Sequence, residues 1–233
     1  FLPLSELGGT AAEDAKAEEL YIKMNSRGKP LTEFENFKAR FERTIQWSVR
    51  ASEFELKVDT IWSDLMWHLR DEDHQIDDQF LRYIEFVTEI CEWRDGRTDG
   101  VGTRLDERTR AVFGEQNPKR DEHLDLLFRA FDVWVDRSAD ETFGRLFFTS
   151  NTLDHTRVRL FGQGAGQADE PVNLFRACCQ HYGESGAKGL SLGRTLLLHA
   201  VLLHLIEGTD DVDRRLRVAR NLIEASGDEL RAD

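Results

Sequence analysis

The spacing of the apolar residues constrains this chain more than any other feature. Phe34, Phe37, Phe41, Ile45 and Val49 step by three or four. Phe54, Val58, Ile61, Trp62, Leu65 and Leu69 do the same, as do Leu124, Leu127, Phe128, Phe131 and Val135. Residues spaced this way share one face of an α-helix, whereas a half-buried strand needs strict alternation. No alternating run of useful length and no internal repeat appears. The fold expected is all-α, an irregular multi-helix array.

Capping signals and glycines divide the pattern into elements. Thr10 and Glu13, Thr32 and Glu35, Ser52 and Glu55, and Ser138 and Glu141 all have capping-box spacing. Helices are expected over 11–24 and 33–50, from Ser52 through Leu69, and around Phe80, Leu81, Ile84, Val87 and Cys91. Further helices are expected over 105–113, 120–136, 139–149, 170–182, 192–207 and 210–226, with Gly227 suited to end the last. Residues 94–104, with Gly96, Gly100 and Gly102, read as a loop, and Gly162–Gly166 as a second break. The first loop separates a segment 1–94 from a second helical segment 105–233, which need not be a separate domain.

The 233 residues suffice for one large or two small domains. With 40% hydrophobic and 32% charged residues, the chain can build a core but reads as no membrane protein. Its longest apolar run, Thr195–Leu203, is too short and too interrupted to span a bilayer. Cys91, Cys178 and Cys179 are odd in number and lack CxxC spacing, which points to a reducing cytoplasm rather than a disulfide framework. The five tryptophans all fall within helical patterns and read as core.

A net charge of −13 argues against nonspecific nucleic-acid binding by the whole surface. The charge is uneven. Residues 53–92 carry twelve Asp or Glu against Lys57, Arg70 and Arg82, while Arg27, Lys29, Lys38, Arg40 and Arg43 reverse the balance earlier in the chain.

Asn25, Ser26, Arg27 and Lys29 lie within five residues, turn at Gly28 and Pro30, and run into the helix that Thr32 opens. Arg offers a planar fork of donors and Lys a mobile point charge, so Asn25, Arg27, Gly28 and Lys29 form a candidate site for phosphate, from a nucleotide or from DNA. Glu33 and Glu35 load the first turn of that helix with negative charge, so an anion would sit on the loop itself. The competing reading has Asn25 and Arg27 tying the loop to neighbouring helices. Arg214, Arg217, Arg220 and Asn221 lie on the polar side of the last helix and are candidates for DNA contact. Asp210, Asp213 and Glu224 stand at spacings that would pair with them instead.

Other chemistry finds little support. His199 and His204 are five apart and turn to different faces of a helix, and His181 with Cys178 and Cys179 has the wrong spacing for a zinc knuckle. Gly183–Lys188 breaks the P-loop spacing and follows a helix rather than a strand. No metal, cofactor or catalytic residue is expected in this segment.

The run Tyr21–Leu31, Tyr-Ile-Lys-Met-Asn-Ser-Arg-Gly-Lys-Pro-Leu, followed by Phe34, Glu35 and Lys38, resembles a motif of the GmrSD-type family. That family comprises nucleotide-dependent, modification-sensing restriction proteins and related phage-defence proteins. Arg214–Ile223 is a second, weaker similarity. The resemblance implies that Arg27 and Lys29 contact phosphate, that Asn25 orients it and that Gly28 makes the turn. It also implies a parent that uses a nucleoside triphosphate with magnesium and cuts DNA through a nuclease domain.

The family's Asp-Gly-Gln-Gln-Arg signature is missing, since Asp95-Gly96-Arg97 and Asp99-Gly100-Val101 do not supply it. No His-rich nuclease pattern appears either. The chain is therefore expected to be an internal piece of a larger multidomain protein, with 1–94 the end of the family's N-terminal region. Its partners would be the N- and C-terminal domains of its own chain and, through the parent, DNA. By itself it would not be a complete enzyme. The alternative is a non-catalytic helical module that docks protein partners through its acidic surface.

Overall fold

Why the periodic segments become these helices is visible in what each one buries. The computed structural model describes residues 31–70, 75–97, 103–148, 156–160, 172–184 and 189–226. In order come α1 (Glu33–Thr44), α2 (Ala51–Asp59), α3 (Ile61–Trp67), α4 (Asp77–Arg94), α5 (Leu105–Phe113), α6 (Arg120–Val135), α7 (Ala139–Leu146), α8 (Leu174–His181), α9 (Leu192–Glu207) and α10 (Val212–Ala225). Among the described residues the strands are β1 (Phe147–Phe148) and β2 (Val158–Arg159), paired in parallel with Phe147 opposite Val158. The molecule is all-α, as the periodicity requires.

α4 is the central helix. It packs on α1, α5, α6 and α8 and buries residues around most of its circumference, among them Phe80, Tyr83, Ile84, Phe86, Val87 and Ile90. Aromatic rings tie the layers together. Phe34 stacks on Phe80 at 4.4 Å, Trp62 on Phe131 at 4.4 Å, and Trp134 on Phe175 at 4.8 Å. The Tyr83 hydroxyl donates to the Ala130 carbonyl at 2.7 Å and accepts from Trp134 Nε1 at 3.0 Å, so the polar ends of two buried rings satisfy each other. Residues on both sides of the Gly-rich 94–104 stretch share this one core.

α5 is fastened to α4 by charge. The buried Arg108 guanidinium donates to Glu92 through Nη2 at 2.8 Å and to Glu85 through Nη1 at 2.8 Å. Fork geometry of this kind satisfies an ion pair that burial would otherwise make costly.

Several boundaries depart from the sequence expectation. The helix expected over 33–50 ends at Thr44. The chain then turns so that Trp47 Nε1 donates at 2.9 Å to the Phe113 carbonyl, an acceptor left free at the end of α5. Val49, expected on the buried stripe, is 100% exposed. Ser52 caps nothing: α2 begins at Ala51 behind Arg50, which makes no side-chain cap. The stripe from Phe54 to Leu69 is broken at Thr60, whose backbone (φ −129°, ψ −102°) separates α2 from α3. The helix expected over 139–149 stops at Leu146, where Phe147 turns extended into the strand pair. The segment 11–24, the Gly162–Gly166 break and Gly227 lie outside the described residues.

Candidate functional site

The motif residues Asn25, Arg27, Gly28 and Lys29 lie outside the described residues. The helix start just beyond them is firmly held. Thr32 N–H donates to Glu35 Oε2 at 2.7 Å, and Glu35 N–H donates to Thr32 Oγ1 at 3.2 Å, closing the expected capping box. The Asn36 side-chain amide donates to the Leu31 and Thr32 carbonyls, at 3.3 and 2.9 Å. Phe34 anchors the first turn in the core. Two nearby cations are engaged elsewhere: Lys38 meets Asp59 at 2.5 Å, and Arg40 meets Asp106 at 3.1 Å.

The second sequence candidate sits on α10, which is stacked on α9 by a tight turn. Gly208 ends α9 in the left-handed region (φ 66°), and Asp211 enters α10 in the same region (φ 56°), which aspartate tolerates better than most residues. Arg214, Arg217 and Asn221 are exposed on α10. Arg220 is set apart from them. Its guanidinium pairs with Glu224 four residues on, through both carboxylate oxygens, and its Nε donates to the Arg159 carbonyl at 3.0 Å. For Arg220 the ion-pairing alternative describes the geometry.

A site that the sequence did not announce lies between α3, α6, α7 and α8, in a cleft of about 640 Å³. Leu65, Leu69, Trp134 and Phe175 contribute its apolar floor. The floor is stiff, because Trp134 is held by Tyr83 and stacked against Phe175. The starts of α7 and α8 meet at the rim. Ser138 accepts from Glu141 N–H at 3.2 Å, and Asn173 accepts from Arg176 N–H at 2.9 Å. Asn173 Nδ2 also donates to Asp140 at 2.8 Å, tying the two helix starts together. Arg137, Arg176, Asp64 and Asp136 give the rim both signs of charge. An apolar floor under a mixed polar rim suits a ligand or peptide side chain with an apolar body and polar ends.

Comparison with protein-family models, with curated proteins and with solved structures finds no match. The chemistry must therefore be read from the residues themselves.

Burial pushes the thiols of Cys91, Cys178 and Cys179 up, so all three stay protonated and unreactive. Burial also pulls His199 down to about 4, leaving a neutral ring at physiological pH. Burial would raise Asp95, but hydrogen bonds from Lys119 and Asn117 outweigh it and hold the carboxyl below its usual range. Asp95 thereby clamps the α5–α6 turn to the end of α4, with Lys119 at 3.0 Å and His123 Nε2 at 3.4 Å. Among the described residues no group of three or more His, Cys, Asp or Glu side chains is placed to hold a metal ion, and no helix is long and apolar enough to cross a membrane.

The cleft leaves little trace in the sequence. Trp134 reads there simply as a core residue, and Phe175 is not singled out within the helix expected over 170–182. Of the two helix starts at the rim, Ser138 has capping-box spacing with Glu141, whereas Asn173, a favoured cap residue, is followed by Arg176 and makes no box. Convergence of residues about a hundred positions apart, such as Leu65 and Phe175, has no local signature.

Proposed function

We propose that this chain is the helical, non-catalytic part of a GmrSD-like, nucleotide-dependent DNA restriction protein that acts in phage defence. The observation that carries this reading is the Tyr21–Leu31 run delivered into a helix whose start is doubly capped and anchored on the core. A donor-rich run tethered to a fixed helix start has less freedom to lose on closing over a phosphate than an untethered one, which suits a nucleotide-contact role. In this reading Arg27 and Lys29 meet phosphate oxygens, Asn25 orients them and Gly28 makes the turn. A nucleoside triphosphate with magnesium, the remaining domains of the parent and DNA are the expected partners, in a cytoplasmic setting.

The test uses the full-length parent. A charge-assisted hydrogen bond to phosphate is worth about 1.5–3 kcal/mol, so Arg27→Ala or Lys29→Ala should weaken nucleotide or DNA binding roughly ten- to a hundredfold. The melting temperature should barely move. Unchanged affinity with a clearly lowered melting temperature would make the loop a structural tie instead.

A second reading is favoured by the cleft over Trp134 and Phe175. In it the chain is a helical module that docks protein partners through its acidic surface, and the cleft supplies an apolar seat under a rim of mixed charge. Ile61, which lines that seat on α3, is a partly exposed large apolar residue.

A further inference from the structure

Helix α10 has two apolar rows. Val212, Leu216, Ala219 and Ile223 pack against the core. Val218 and Leu222 form the other row, turned by roughly a third of the helix circumference, and are 53% and 63% exposed. Arg214 and Arg215 stand beside this outer row, and Asp211 closes one end of a shallow groove of about 470 Å³. Neither Arg214 nor Arg215 has an ion-pair partner among the described residues. α10 as a whole carries four arginines against Asp213 and Glu224, a cationic helix on a chain of net charge −13.

We propose that this outer face of α10 docks an acidic amphipathic helix of a protein partner. Apolar side chains of the partner would cover Val218 and Leu222, while carboxylates on either side would meet Arg214 and Arg215. The i, i+4 spacing of the two apolar residues matches the repeat of a helix lying alongside. The positive flanks select a negative partner and suppress a basic one. A DNA backbone would satisfy the arginines but would leave Val218 and Leu222 without an apolar cover, so the apolar row argues for a protein. The face is presented rigidly, because the inner row of α10 packs on the core and Arg220, behind the outer row, donates to the Arg159 carbonyl of β2.

The experiment uses the whole chain and a labelled designed peptide of about five helical turns, with leucines at i, i+4 flanked by glutamates. Binding is read by fluorescence anisotropy, beside a scrambled peptide of the same composition and a short DNA duplex as competitor. The double variant Arg214→Glu, Arg215→Glu should weaken peptide binding by roughly tenfold or more. Leu222→Ala should weaken it by a smaller factor, and the scrambled peptide should bind poorly. All three positions are exposed, and circular dichroism checks that the variants stay folded. Equal binding by the wild type and the charge-reversed variant would overturn the proposal. So would displacement of the peptide by duplex DNA, or self-association in sedimentation that the same charge reversal abolishes.

Discussion

His199 shows how much one side chain's surroundings decide. It lies largely buried on α9, its Nε2 has no hydrogen-bond partner among the described residues, and Arg94 adds a nearby positive charge. Burial first, and Arg94 second, lower its pKa from 6.5 to about 4. The unfolded chain therefore takes up a proton as the pH drops past about 6.5, while the folded chain resists until about 4. The stability tied to this neutral ring is whole above that window and drains away as pH falls through it, to a limit of about 3 kcal/mol. The melting temperature of the wild type should fall more steeply between these two pH values than that of His199→Gln. Parallel profiles would mean that the ring titrates freely in the folded protein. Arg108 illustrates the opposite solution at the same scale: its charge stays buried because Glu92 and Glu85 satisfy it directly.

At the scale of the element, capping is the clearest link from sequence to structure, and it works only where packing agrees. Thr32 and Glu35 form a reciprocal box at the start of α1, whose inner face buries Phe34, Phe37 and Phe41. Ser52 and Glu55 have the same spacing yet form no box, because Ser52 sits inside α2. Aspartate and glutamate are so frequent here that the spacing alone recurs without meaning. Thr32→Ala should destabilise the protein by about 1 kcal/mol, read as a lower midpoint in denaturant with an unchanged slope. Thr32→Ser should restore most of the loss. An unaltered midpoint for the alanine variant would show that the helix start is held by Phe34 and Asn36 alone.

Across the whole molecule, the decisive feature is that one apolar cluster runs from Phe34 on α1 to Leu216 on α10. The helices before and after the 94–104 stretch meet along α4, and α4 also carries the charged clamp to α5. A core shared in this way has no internal plane along which the two stretches could come apart cheaply. Denaturation followed by tryptophan fluorescence and by far-ultraviolet circular dichroism should give one coincident transition. Two separated transitions would mean that the segments 1–94 and 105–233 fold as independent units.

The all-α class was legible in the order of residues alone, because helical spacing of apolar side chains leaves no alternative face to bury. So were the positions of several helices: Leu105–Phe113 and Leu192–Glu207 match the expected spans to the residue. The box at Thr32 and the cap at Ser138 belong with them, since each depends on residues within one turn. Where α1 stops is a matter of tertiary packing, because it depends on Trp47 reaching Phe113, far along the chain. Packing also turns Trp67 and Val49 toward solvent although they stand in helical patterns, and it engages Arg220 while leaving Arg214 exposed. The cleft has the same origin, since Leu65, Trp134 and Phe175 meet only once α3, α6 and α8 have packed. Local spacing records contacts within a helix turn; contacts between distant segments follow from how whole faces fill space, and no short stretch of sequence carries that information.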